Sequence, residues 1–187
     1  MSVLLFCTGY SSQAQKSLNH YSDSQIWESA MEKFQNHNFG GARHELQEFI
    51  NRGESVYSGR KSQAEFYMAW CSIELFRPEA EEEMKSFIRN YPESNKIQSA
   101  YFQLGRQQYR NKKYKAALLW FKEVDAYLLK SEDLTEYRFK VAYSYFMQKD
   151  YEEARKNFYE IIDVSGDYNA PANYYYSHIA YLNKNYQ

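Results

Sequence analysis

The sequence predicts an all-α fold, a right-handed superhelical solenoid of about four and a half helix hairpins. Apolar residues recur at spacings of three and four along most of the chain, which is the pattern of amphipathic helices. The same pattern returns about every 37 residues, as between Gly105 and Ala142, and a period of this size is typical of stacked helix pairs. Glycine (7) and proline (3) are scarce, which leaves little room for the tight turns of a β-protein.

The clearest hairpin lies between residues 101 and 124. Its two helices carry one apolar face each, formed by Tyr101, Leu104, Gly105 and Tyr109 in the first and by Tyr114, Ala117, Phe121 and Val124 in the second. The polar residues 110–113 between them are too few for more than a turn. Gly105 and Ala117 are small, and we expect the two helices to approach closely there.

Copies of this hairpin define the repeat units. Positions equivalent to this hairpin recur downstream at Val141, Ala142, Phe146, Tyr151, Ala154, Phe158 and Ile161, upstream at Ala80, Met84 and Phe87, and earlier at Ala30, Phe34, Phe39, Ala42, Leu46 and Phe49. A fifth copy begins at Tyr174. We therefore predict a solenoid over residues 22–187 with units at about 22–57, 58–93, 94–130 and 131–168 and a half unit at 169–187, as the N-terminal part of a longer array.

Helix bounds follow from the same pattern and from capping signals. Ser22 with Gln25 predicts a capping box at the start of the first helix, and Ser62 with Glu65 predicts the cap of the third, which is expected at 64–76. The later helices are predicted at 95–111, 114–129, 132–148, 151–164 and 170–185.

These repeated residues resemble the tetratricopeptide repeat family over residues 22–187. The period and the segment from Ile88 through Tyr91-Pro92 to Ser94, leading into Tyr101-Phe-Gln-Leu-Gly105, resemble its periplasmic subtype, which occurs in outer-membrane assembly lipoproteins and in the Tol-Pal periplasmic coordinator. Arg77 departs from the pattern, because it replaces the turn aromatic. The resemblance implies that first helices line a concave groove, and that the protein is a non-enzymatic scaffold whose groove binds a protein or peptide.

Residues 1–14 differ in kind from the rest. Val3 to Phe6 are apolar, no charge precedes Lys16, and Ser12-Gln-Ala14 has the small residues of a signal-peptidase site. We interpret 1–14 as the remnant of a signal peptide and 15–21 as a linker; a mildly apolar tail and a lipid anchor on Cys7 are the alternatives. The expected location is the periplasm, or the periplasmic face of the outer membrane of a diderm bacterium, with membrane association only indirect or by the lipid anchor.

Composition and motifs predict no catalytic, cofactor or metal site. The net charge of −1 gives no general attraction to nucleic acid. None of the four histidines (His20, His37, His44 and His178) pairs with another ligand at zinc spacing. Cys71 is interpreted as a buried, inert thiol.

The candidate partner-binding residues form a second face on each first helix. They are Trp27 and Met31, Phe66 and Trp70, Phe102 and Arg106, Phe139 and Tyr143, and Tyr174 and His178, each pair four residues apart. Aromatic residues and arginine are favoured in protein-binding hot spots. These side chains could instead pack between neighbouring first helices. Two other functions remain open: a glycan-binding protein that stacks sugars on the aromatic groove, and a recruiting domain of a larger enzyme.

Overall fold

The computed structural model describes residues 22–52 and 58–182 of the chain. Across those residues the regular structure is helical without strands: α1 Asp23–Gln35, α2 Phe39–Asn51, α3 Ser58–Glu74, α4 Ala80–Asn90, α5 Ile97–Arg110, α6 Tyr114–Phe121, α7 Ser131–Met147, α8 Tyr151–Tyr159 and α9 Asn169–Leu182, with a short 3₁₀ helix at Ala126–Leu128. The all-α prediction is confirmed. The signal peptide and linker predicted at 1–21 lie outside the described residues.

The helices form four consecutive hairpins and a ninth helix. Each helix packs on the next along the chain, and the first helices α3, α5 and α7 also contact one another. Each hairpin has its own buried cluster, which merges with that of its neighbour. This serial arrangement is a helical solenoid in which the first helices line one side, called the inner surface below.

Every first helix carries a large, a small and a large residue at positions i, i+3 and i+7, a set that we call its triplet. The triplets are Trp27/Ala30/Phe34, Phe66/Ala69/Ile73, Phe102/Gly105/Tyr109, Phe139/Ala142/Phe146 and Tyr174/Ser177/Tyr181. In the four hairpins the second helix packs against this face, with ring-centroid distances of 5.6 Å for Trp27–Phe49, 5.4 Å for Phe66–Phe87, 6.2 Å for Phe102–Phe121 and 5.7 Å for Phe139–Phe158.

Gly105 marks the closest approach in the third hairpin, as its sequence context predicts. A Cβ atom at this position would overlap the ring of Phe121, which is itself buried. The opposite small residue, Ala117, is also fully buried. The hairpin is therefore closed by an aromatic ring lying directly on helix backbone.

All four hairpins turn through one residue in the left-handed conformation. These residues are His37, Phe76, Lys112 and Lys149, with φ between 56° and 63°. In each case the next amide bonds back to the carbonyl five residues earlier, as Asp150 N does to Tyr145 O at 3.0 Å. This is the Schellman pattern that satisfies the last carbonyls of a helix. Glycine is the usual residue there, but none of the four is glycine.

Helix ends agree in part with the sequence. The capping box of Ser22 and Gln25 is present. Ser62 is not a cap, because α3 already begins at Ser58 and contains it. Helices α6 and α8 end at Phe121 and Tyr159, well before the predicted 129 and 164.

Cys71 is buried in the described structure. Burial raises the pKa of its thiol to about 12, which keeps it protonated at neutral pH. No helix in the described part of the chain is long and apolar enough to cross a membrane.

Replacing Gly105 with alanine should destabilise the protein by about 1–3 kcal/mol, because the added methyl group forces Phe121 out of its site. Gly40→Ala is the matched control. A Cβ atom at Gly40 meets nothing within 4 Å, so this helical substitution should stabilise by about 0.5–1 kcal/mol. Urea denaturation measures the free energy of unfolding of both variants. Equal changes for Gly105→Ala and Gly40→Ala would contradict the close approach of the helices at Gly105.

The left-handed turn residues predict opposite effects for two substitutions at Lys149. Lys149→Gly removes the steric cost of positive φ and should leave the free energy of unfolding unchanged or raise it by up to about 1 kcal/mol. Lys149→Val should lower it by at least about 1 kcal/mol, because a β-branched residue fits this conformation poorly. Equal melting temperatures for Lys149→Val and Lys149→Gly would contradict this turn geometry.

Candidate binding surface

The structure buries three of the ten candidate residues. Phe66, Phe102 and Phe139 are only 1%, 1% and 8% exposed, and each packs against its own second helix. A side chain this buried offers a partner almost no surface. These three side chains pack, but against the second helix of their own hairpin rather than between neighbouring first helices, so their interpretation as direct partner contacts is corrected.

The other candidates lie nearer to solvent but are mostly engaged in contacts. Trp27 packs on Tyr67 at 6.3 Å, Trp70 packs on Phe34 at 5.1 Å, and Tyr143 packs on Tyr175 at 5.1 Å. The partly buried set comprises Trp27, Met31, Trp70, Arg106, Tyr143 and His178. Tyr174 is 63% exposed and stacks on His178 at 6.0 Å. The candidates therefore divide between the inner surface and the outer face of α9.

Glu74 joins two first helices on the inner surface. Its carboxylate accepts a hydrogen bond from Trp70 Nε1 at 3.1 Å, and it pairs with Arg110 at 3.2 Å and with Arg106 at 3.8 Å. Arg110 also lies over the ring of Phe76, 4.1 Å from its centroid. One carboxylate on α3 thus holds two guanidinium groups of α5.

Arg106 continues the chain of charges to α7. Its Nε atom lies 2.9 Å from Glu136, which also pairs with Lys140 at 3.4 Å. The Lys140 ammonium lies 4.4 Å from the centroid of the Tyr109 ring. Burial lowers the pKa of Lys140, although Glu136 opposes that effect. These five residues, Glu74, Arg106, Arg110, Glu136 and Lys140, are called the inner charge network.

The inner charge network carries three cations and two anions, so its formal charge is +1. Two depressions flank it. One, of about 310 Å³, extends from Phe34 and Trp70 to Glu74 and Arg106. The other, of about 170 Å³, lies between Glu74, Arg106 and Lys140. A shallow, partly buried site with an excess positive charge suits an acidic side chain better than an apolar one.

Tyrosines follow the network toward α9. Tyr143 packs edge-on against Tyr109, Tyr114 and Tyr175 at centroid distances of 5.8, 5.7 and 5.1 Å. Burial raises the pKa of Tyr109 and of Tyr114, and burial together with a hydrogen bond to Tyr143 raises that of Tyr175 to about 12. The raised pKa values keep the hydroxyl groups of Tyr109, Tyr114 and Tyr175 protonated at neutral pH.

The described residues contain no cluster of three or more histidine, cysteine, aspartate or glutamate side chains that could hold a metal ion. The chemistry that the inner surface supports is recognition through charge, hydrogen bonds and ring contacts.

Sequence reasoning missed four of the five network residues. A usable signal was present, because equivalent positions of adjacent first helices face each other. Glu74 and Arg110 are 36 residues apart and have opposite charge, and Trp70 and Arg106 have the same spacing. A comparison of side chains that lie one period apart would have found the ion pair of Glu74 and Arg110.

The tyrosine cluster predicts a loss of stability at alkaline pH. Burial raises the pKa values of Tyr109 and Tyr175 above 10, so between about pH 10 and 12 the folded chain keeps protons that the unfolded chain has lost. The resulting contribution to stability is fully present below pH 10 and is lost as the pH rises toward 12. Tyr175→Phe should weaken this pH dependence in urea titrations. Tyr127→Phe, at a ring that is 95% exposed, should not change it. Identical profiles for wild type and Tyr175→Phe would exclude this cause.

Two stretches of the chain, residues 63–94 and 136–164, match the model of the family described as Tetratricopeptide repeat. They coincide with the second hairpin (α3 and α4) and the fourth (α7 and α8). A comparison with curated proteins found no match to this chain. Repeats of this family generally mediate protein–protein interactions. From the serial hairpins and the two matches we conclude that this chain is a helical solenoid in which the second and fourth hairpins are similar to the tetratricopeptide repeat.

Proposed function

We propose that the protein is a non-enzymatic scaffold of the bacterial cell envelope that binds a segment of an envelope protein on its inner surface. The observation that carries the proposal is the inner charge network, where Arg106 and Arg110 are 30% and 33% exposed beside open depressions. The positive excess favours a segment with an acidic side chain. Trp70 and the tyrosine cluster supply ring surface next to it.

Electrostatic matching gives specificity here rather than high affinity. The side chains of these ion pairs are partly buried, with exposures between 17% and 33%, so a partner carboxylate that replaces Glu74 or Glu136 must keep the arginine paired. The hairpin cores do not change when the pairs exchange, because the network lies outside the four buried clusters. Binding on a preformed surface avoids the cost of ordering it.

The envelope setting rests on the sequence of residues 1–14 and on the resemblance to the periplasmic subtype. The glycan-binding alternative has less support, because the rings of Trp27 and Trp70 are partly buried against aromatic neighbours.

The test is crosslinking capture after cell fractionation. The full-length protein is expected in the envelope fraction, where it should capture a defined set of proteins. Arg106→Gln/Arg110→Gln keeps a polar side chain at both positions but changes the formal charge of the inner charge network from +1 to −1, so it should lose those partners. Because Glu74 and Glu136 are partly buried and lose their arginine partners, the variant should be destabilised by about 1–3 kcal/mol, and a thermal melt must show that it is folded under the capture conditions.

Lys115→Gln/Lys122→Gln is the matched control. Both lysines are exposed on or next to α6, away from the inner surface, and the same loss of charge there should keep every partner. Equal capture by both double variants would exclude the inner surface as the binding site. Recovery of the protein in the cytoplasmic fraction would exclude the envelope setting.

A further inference from the structure

Phe76 differs in kind from the other three left-handed turn residues. His37, Lys112 and Lys149 are polar, whereas Phe76 is a large apolar residue that is 71% exposed. A left-handed conformation, here with φ at 56°, is costly for a bulky side chain, and glycine or asparagine would adopt it more easily. The turn between α3 and α4 therefore carries a strained residue that gains little from burial.

The packing of the hairpins does not account for the ring of Phe76. In each of the other three hairpins two aromatic residues pack across the turn at a centroid distance of 5.6 Å, namely Phe34–Phe39, Tyr109–Tyr114 and Phe146–Tyr151. The second hairpin has Arg77 and Pro78 where the second ring of each pair lies, and Phe76 precedes them with its ring exposed. A side chain that is strained and does not fill the core is a candidate for a functional contact.

Arg110 connects Phe76 to the inner charge network. Its guanidinium lies 4.1 Å from the centroid of the Phe76 ring, pairs with Glu74 and donates a hydrogen bond to the carbonyl of Ile73. These bonds hold Arg110 beside the ring, while 33% of its side chain stays exposed. Leu75, next to Phe76 in the chain, is 40% exposed. Apolar surface and a positive charge therefore lie side by side at this edge of the network.

This combination restricts what binds well here. An acidic side chain alone would pair with Arg110 but leave the ring of Phe76 in water, and an apolar side chain alone would not use the positive excess. Alternate side chains of an extended segment lie on one face, roughly 7 Å apart. An acidic and an apolar residue two positions apart can therefore reach Arg110 and Phe76 together.

We infer that Phe76 is a specificity-determining contact of the inner surface, and that the partner segment carries a large apolar residue two positions from an acidic one. The apolar side chain packs on Phe76 and Leu75, and the carboxylate pairs with Arg110. This inference rests on the function proposed above, because it specifies the segment that the inner charge network binds. The two can be tested separately, since Phe76 carries no charge.

The test begins with a phage-displayed library of random dodecapeptides, selected on the immobilised full chain. Enriched peptides should share an acidic residue with a large apolar residue two positions away. One such peptide, labelled with fluorescein, is then titrated with the protein by fluorescence anisotropy. Phe76→Asn should weaken its binding at least about tenfold, because the apolar side chain loses the ring on which it packs.

The same variant separates binding from stability. Because asparagine fits the left-handed turn, Phe76→Asn should melt at the temperature of the wild type or above it. Weaker binding with a melting temperature more than about 4 °C lower would mean that Phe76 serves the turn, which would overturn the inference. Lys149→Asn is the matched control. It makes the same substitution in the same conformation in the fourth hairpin, and it should leave binding unchanged.

Peptide variants assign each contact. Replacing the apolar residue of the peptide with serine should weaken binding to the wild type but have no further effect on Phe76→Asn. Changing its acidic residue to the amide should likewise have no further effect on Arg110→Gln. Peptides that depend on Arg106 and Arg110 but bind Phe76→Asn normally would overturn this inference and leave the proposed function standing. A selection that yields no peptide dependent on these arginines would overturn both.

Discussion

The packing of a small first-helix residue against a large side chain of the second helix is the contact on which this structure depends. At Gly105 the ring of Phe121 lies on the backbone of α5, where a Cβ atom would overlap it. Because the partners are only 16 residues apart, each hairpin can form its core locally, before any contact with the next unit. The solenoid is then a sum of similar local units and their interfaces, with stability distributed along its axis.

Because each hairpin has its own apolar core, the inner surface can carry polar residues. The charges of Glu74, Arg106 and Glu136 link α3, α5 and α7 where a globular core would demand apolar side chains. Such partly buried pairs hold adjacent units in register and can exchange with charges of a partner. Fold and recognition therefore rest on different residues, which lets one change without the other.

The sequence could predict the repeat, its helical class and the close approach at Gly105, because these depend on spacing and side-chain volume within one hairpin. It could not decide whether the second aromatic face binds a partner or packs. Phe66 and Phe102 stand on the face that the second helix covers, and a 3.6-residue period alone does not tell which side of a helix a neighbour takes. The start of α3 at Ser58, before the predicted cap, was missed because a capping box can also occur by chance inside a helix. The inner charge network was not predicted, because it joins residues of different units and a pattern within one helix does not reveal such contacts.

The connections between hairpins, rather than the helices, account for the length of the repeat period of about 37 residues. Helix α6 ends at Phe121, and nine residues precede α7. These residues are not left without support: Tyr137 Oη donates to the carbonyl of Phe121 at 3.1 Å, and the amide of Asp125 donates to Gln98 at 2.7 Å. Asn173 bonds the carbonyl of Ile162 in the same way after α8. Side chains of the next unit, Tyr137 and Asn173, and of the same unit, Gln98, thus bond backbone groups of these connections. They help to fix the spacing of the hairpins and, with it, the separation of the first helices that carry the inner charge network.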